Sequence, residues 1–148
     1  MTDQSLKKNF EARFKHPPEI VGYAPGRVNI IGDHTDYNQG FVLPAAIQMG
    51  TSIAASRRDA NQVCAFAEGF THTIDQFSLD KIDYCHHEMW RNYVRGTLQC
   101  LRQHNNEFSG MNLYIDGNVP QGAGLSSSAS FEIALLKTVV DLYSLDLA

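Results

Sequence analysis

Apolar positions recur at helical spacing in three stretches of the chain. Leu6, Phe10 and Phe14 stand four residues apart and would share one face of a helix over Ser5–Phe14. His16-Pro17-Pro18 ends that helix, because proline lacks an N–H and restricts the residue before it. Trp90, Tyr93, Val94, Thr97, Leu98 and Leu101 follow a 3.6-residue period and predict a helix over Glu88–His104. Phe131, Ala134, Leu135, Thr138, Val139 and Leu142 form the buried stripe of a third helix over Ser126–Tyr143.

Between these stretches the pattern is that of strands and turns. Ile20–Tyr23 reads as a strand, Pro25-Gly26 as a turn, and Arg27–Ile31 as a short β-branched segment broken by Gly32. Asp33–Gly40 is polar and rich in turn formers, hence a loop. Phe41–Arg57 reads as extended structure interrupted by Pro44 and Gly50. Gln62–Ala67 and Thr71–Phe77 are candidate strands with a turn at Glu68-Gly69, and Met111–Ile115 alternates as a further strand. Gly117–Leu125 is rich in Gly and Pro and is irregular. This order predicts an α+β fold, a mixed sheet with flanking helices, in one domain over residues 1–148.

Composition narrows the classes of function. The 43% hydrophobic and 19% charged content is that of a globular domain able to bury a core. A formal net charge of −4 argues against general nucleic-acid binding. It leaves a nucleotide ligand open, since phosphate can be held by backbone N–H groups. The three cysteines, Cys64, Cys85 and Cys100, include no Cys-x-x-Cys pair and read as free thiols of a reducing compartment. The N-terminus is not a signal peptide, and no apolar run approaches the roughly 20 residues of a membrane span. A cytoplasmic protein without a membrane partner is the expectation.

Two constellations carry candidate chemistry. In Gly122-Ala123-Gly124-Leu125-Ser126-Ser127-Ser128 the glycines permit positive φ and close ligand approach, and the serines fall where the last helix begins. Free N–H groups and the helix dipole attract an anion there, so the loop describes a phosphate cradle. The serine hydroxyls could also donate to phosphate or reach a magnesium ion. The loop is neither the common P-loop nor the dinucleotide fingerprint. The competing reading is a serine-capped helix after a glycine turn, although a cap requires only one serine.

The second constellation is Gly26 to Asn38. Asp33, His34 and Asp36 could together hydrogen-bond the hydroxyls of a polyol such as a sugar. Arg27 offers a fixed positive charge to a phosphoryl group or a carboxylate. From spacing alone the same residues could bind a divalent metal or simply form turns. His86-His87-Glu88 is a weaker metal signal and reads better as an exposed helix start.

The run Ala24-Pro25-Gly26-Arg27-Val28-Asn29-Ile30-Ile31-Gly32-Asp33-His34-Thr35-Asp36-Tyr37-Asn38-Gln39-Gly40-Phe41-Val42-Leu43-Pro44 resembles the galactokinase signature. The run Gly122–Ser130 resembles the ATP-binding motif of the GHMP small-molecule kinases. The resemblance implies the N-terminal domain of such a kinase, with transfer of the ATP γ-phosphate to the 1-hydroxyl of α-D-galactose and Mg2+ as cofactor. It implies that Asp33, His34, Thr35 and Asp36 line the sugar site and that Arg27 stabilises the transition state. It places Gly122, Ala123, Gly124, Leu125, Ser126, Ser127 and Ser128 around the phosphates, Ser128 near magnesium, and Trp90 near the adenine. For Trp90 a place in the helix core is the alternative.

Asp33 stands where the family usually has glutamate. The family's base aspartate, further magnesium-binding glutamate and third glycine-rich motif have no match in the chain. The expectation is therefore an incomplete, nearly inactive kinase part, with a galactose- and ATP-binding sensor as the alternative. A metal-dependent hydrolase ranks last, because it would leave the serine loop without a purpose. A monomeric full-length protein and a fragment prone to self-association complete the expectations.

Overall fold

The computed structural model describes residues 2–32, 38–70, 72–104 and 107–146. Helix α1 spans Asp3–Phe14, with the Thr2 side chain accepting from the Ser5 N–H and Lys15 closing the helix in the left-handed region. Strands follow at β1 (Ile20–Ile31), β2 (Leu43–Arg57), β3 (Gln62–Ala67) and β4 (Asp75–Ser78). Helix α2 (Met89–Gln103), strand β5 (Met111–Gly117) and helix α3 (Ser127–Tyr143) complete the order.

The five strands form one sheet in the order β1-β2-β5-β3-β4. All neighbours are antiparallel except β3 and β5, which run parallel and are joined through β4 and α2. The fold is thus α+β with a mixed sheet, as the order of apolar patterns predicts. Helices cover both faces. Ile53, Ala55, Ala65, Leu113 and Ile115 face the core under α2 and α3, while Ala54, Phe66 and Tyr114 face Leu6 and Phe10 of α1. Neighbouring residues on a strand point to opposite faces. A strand sandwiched between two helix layers is therefore largely apolar, and Met111 to Ile115 is buried at every position, with Asn112 its one polar residue, bonded to Ser56 and Arg58.

Three sequence expectations are corrected. Pro25-Gly26 is not a turn: β1 runs through it, with a register shift between Pro25 and Arg27. Proline is tolerated there because β1 is an edge strand whose outer N–H groups have no ladder to join. Likewise β2 is continuous past Pro44 and Gly50. A Cβ on Gly50 would lie 2.5 Å from the Tyr23 ring, so the glycine answers to packing across the strand pair rather than to a break. The strand expected over Thr71–Phe77 is Asp75–Ser78, and it pairs with β3 as anticipated.

Helix α3 is the central packing element. Every residue of its predicted stripe is buried, each large side chain contributing about 1.5–3 kcal/mol. The helix lies so close to β1 that a Cβ on Gly22 would come within 2.0 Å of Thr138 Oγ1. The far end of the β1–β2 pair is different: Ile30, Ile31, Phe41 and Leu43 are exposed. Among the described residues no helix is long and apolar enough to cross a membrane.

Candidate functional site

Helices α2 and α3 meet near their N-terminal ends through the contact of Tyr93 with Phe131, the fifth residue of each, 5.9 Å between ring centroids. A cavity of about 480 Å³ opens between them, within the range of small-ligand sites. Its lining includes an aromatic and apolar group, Phe70, Met89, Trp90, Tyr93 and Phe131, and a polar, small group, Gln121, Gly122, Ser127 and Ser128. Thr51, in the middle of β2, and its partner Gly117, at the end of β5, complete the lining on the sheet side.

The glycine–serine loop is shaped by backbone rather than by crowding. Gly122 and Gly124 both have φ +70°, which favours glycine, and nothing lies within 4 Å of where their Cβ atoms would be. The chain therefore curls around open space. Asn118 pins its start, exchanging bonds with Gly50 through its side-chain oxygen (2.9 Å) and its N–H (3.1 Å).

Each serine has a different place. Ser126 occupies the N-cap of α3 in the left-handed region, φ 57° and ψ 48°, and its hydroxyl makes no cap bond. It accepts instead from Arg27 Nη1 at 2.5 Å, while the Arg27 N–H donates to the Leu125 carbonyl at 3.1 Å. Ser127 and Ser128 line the cavity. Ser130, buried one turn on, donates to the Ala24 carbonyl at 2.8 Å and lies 3.0 Å from Thr51 Oγ1. The simple cap reading therefore fails for Ser126, and Ser130, which the sequence did not single out, locks α3 onto β1 and β2. The first and last motifs, about a hundred residues apart, are joined through Arg27–Ser126 and Ala24–Ser130.

Trp90 takes the core place that was its alternative reading. It is 5% exposed and belongs to the core, yet it also lines the cavity. Its Nε1–H is buried without a partner among the described residues. Ala123, Gly124, Leu125 and Ser126 lie outside the cavity lining. Asp33, His34, Thr35 and Asp36 fall outside the described residues.

Glu88, read from sequence as an exposed helix start, is the one charged side chain in the cavity lining among the described residues. Its Oε2 receives Arg91 Nε at 2.6 Å and Nη2 at 2.5 Å. Arg91 Nη1 reaches Asp75 Oδ1 at 3.2 Å, and Arg95 supplies Nη2 to the same oxygen at 2.8 Å. The i,i+3 spacing of Glu88 and Arg91 was a usable signal for this link; the partnership with Asp75, on another element, was not. His86, in contrast, packs edge-on to Tyr84, and no group of three or more metal-type ligands occurs among the described residues. Beside the site, Cys85 has its thiol held below the ordinary range by the backbone N–H groups of Glu88 and His87. Burial pushes Cys64 the other way, and all three cysteines are free thiols.

Known proteins share this architecture. Residues 8–57 match the galactokinase galactose-binding signature, and residues 92–148 match the N-terminal domain of the GHMP kinases. A Lactococcus lactis galactokinase, solved in complex with galactose, superposes with a TM-score of 0.89 at 36% identity, over 98% of this chain and 38% of its own. A heptose 1-phosphate kinase from Bacteroides thetaiotaomicron superposes at 0.72, with 18% identity over 86% of this chain and 43% of its own. The Methanococcus jannaschii mevalonate kinase superposes at 0.70, with 20% identity over 87% of this chain and 42% of its own. These two support the fold alone. The chain thus spans less than half the length of each of these kinases. It carries the galactokinase galactose-binding signature and the GHMP kinase N-terminal domain, and it belongs to the GHMP kinase family.

Proposed function

We propose that this chain supplies the sugar- and nucleotide-binding part of a galactokinase, which transfers the γ-phosphoryl group of ATP to the 1-hydroxyl of α-D-galactose. The observation that carries the nucleotide half is the meeting of the glycine–serine loop and Trp90 in one cavity. Aromatic side chains and a glycine–serine loop rich in N–H groups in one cavity suit a base and its phosphates. The sugar half rests on the matched signature over residues 8–57 and on the galactose bound by the Lactococcus protein; Asp33, His34, Thr35 and Asp36 are the residues assigned to the sugar hydroxyls.

In this reading the backbone from Gly122 to Ser128 wraps the phosphates, and the Ser127 and Ser128 hydroxyls donate to them. Arg27, held against Ser126, brings positive charge to the phosphate end, where the cavity lining offers no cation among the described residues. A magnesium ion needs few protein ligands when phosphates and waters complete its shell. The cavity-facing Ser128 hydroxyl fits as one hard oxygen ligand, and the bound ion would neutralise phosphate charge. Positioning and charge neutralisation are the main contributions of a protein to phosphoryl transfer. The sugar oxygen attacks Pγ, the bond to ADP breaks, and the hydroxyl proton passes to a base. No residue of this chain matches the family's base, so the chain is assigned to binding rather than turnover.

Isothermal titration of the chain with galactose and with MgATP tests this. The expected result is saturable, one-site binding of each. A chain that folds and binds neither contradicts the proposal.

A further inference from the structure

The cavity holds a fixed negative charge where a tetra-anionic ligand is expected. Glu88 lines the same cavity as Gly122, Ser127 and Ser128, and it stands directly before Met89 and Trp90 in the chain. Glu88 is the N-cap residue of α2, but its side chain makes no cap hydrogen bond, so its carboxylate is not spent on the helix end. Nor is it a loose surface group. Its side chain is 29% exposed and held through Oε2 by two Arg91 nitrogens. Arg91 is itself fixed by Thr73 Oγ1 at 3.0 Å and by Asp75, whose side chain is 3% exposed. Oε1 has no partner among the described residues.

A carboxylate accepts hydrogen bonds and cannot donate them. Placed among phosphates it would repel them; placed beside a purine ring it selects for a donor on the ring edge. The 6-amino group of adenine is such a donor, whereas a 6-oxo group would set two acceptors against each other. We propose that Glu88 is the specificity-determining residue of the base pocket: its second carboxylate oxygen, Oε1, accepts from the 6-amino group of the purine, and the Asp75–Arg91 chain holds it in place. This rests on the reading of the cavity as a nucleotide site.

The test compares the Mg2+ complexes of ATP, purine riboside triphosphate and 2′-deoxy-ATP. Purine riboside triphosphate lacks only the 6-amino group. Binding to the chain and to Glu88→Ala is measured by calorimetry, with circular dichroism as the check on folding. A charge-assisted hydrogen bond corresponds to about a ten- to hundredfold preference of the unaltered chain for ATP over purine riboside triphosphate. Glu88→Ala should narrow that preference to about threefold or less and leave the ratio of ATP to 2′-deoxy-ATP unchanged. An unaltered ATP preference in Glu88→Ala overturns the proposal, and so does a change confined to the 2′-deoxy ratio, which would move Glu88 to the ribose. An unaltered chain that binds ATP without preferring it removes this inference alone. One that binds none of the three removes the nucleotide reading with it.

Discussion

Asp75 is the residue whose loss should weaken the domain most for its size. Its carboxylate is 3% exposed and accepts from Arg91 Nη1 (3.2 Å), Arg95 Nε (3.2 Å) and Arg95 Nη2 (2.8 Å). The two arginines are nearly enclosed too, with side chains 19% and 14% exposed. Asp75→Ala would leave Arg95 without a carboxylate partner and Arg91 with Glu88 alone, both beside a small void. Breaking a buried pair from one side costs about 3–5 kcal/mol, because the orphaned charge keeps its desolvation penalty. That is a large part of the roughly 5–15 kcal/mol that holds a domain together. At a slope of about 2 kcal/mol per molar urea, the unfolding midpoint should fall by about 2 M. Trp90 is the only tryptophan, so its emission follows the first turn of α2 as the chain unfolds. The triple variant Asp75→Leu, Arg91→Met, Arg95→Met separates charge from packing. An apolar replacement of a whole buried cluster is often neutral or stabilising, so it should recover most of the loss. A fall below about 1 kcal/mol for Asp75→Ala would refute the argument, since exposed pairs alone behave that way.

Gly122→Val should reduce MgATP affinity at least about tenfold, because a β-branched residue at φ +70° reshapes the cradle; calorimetry on the folded variant measures it. Asp116 is held above the ordinary carboxylate range, chiefly by burial. The folded state therefore holds that proton more tightly than the unfolded chain, and stability is lost as pH rises through the raised value. Asp116→Asn should raise the urea midpoint at pH 7, and the gain should vanish below the ordinary Asp value near about pH 4. Cys85, with its thiol lowered by the Glu88 and His87 N–H groups, should react with iodoacetamide at neutral pH well before Cys64, whose buried thiol is raised; mass spectrometry of timed samples ranks them.

The helices were legible because each buries one stripe. The Phe131-to-Leu142 and Trp90-to-Leu101 patterns repeat every 3.6 residues and translate directly into burial. The strands were less so. With helix layers on both faces, β2, β3 and β5 lose the alternation that marks a half-buried strand. Pro25 reads as punctuation unless one knows that β1 lies at the edge. In the site, the glycine–serine loop and Trp90 were visible as motif and resemblance. Three features were not. The Arg27–Ser126 bond spans 99 positions. Ser130 ties α3 to two strands. Glu88 owes its fixed position to Asp75, which stands in a stretch with no pattern of its own. All three arise from the fold bringing distant segments together, which local spacing does not encode.

Trp90 reports directly on whether the cavity between α2 and α3 takes a nucleotide. As the only tryptophan, Trp90 gives a single indole N–H resonance in a nitrogen-15 correlation spectrum, and its Nε1–H is buried without a partner among the described residues. Titration with MgATP should move that resonance saturably, at the concentration where calorimetry finds binding. A resonance that stays in place while ATP binds, or no binding by a folded chain, would contradict the account.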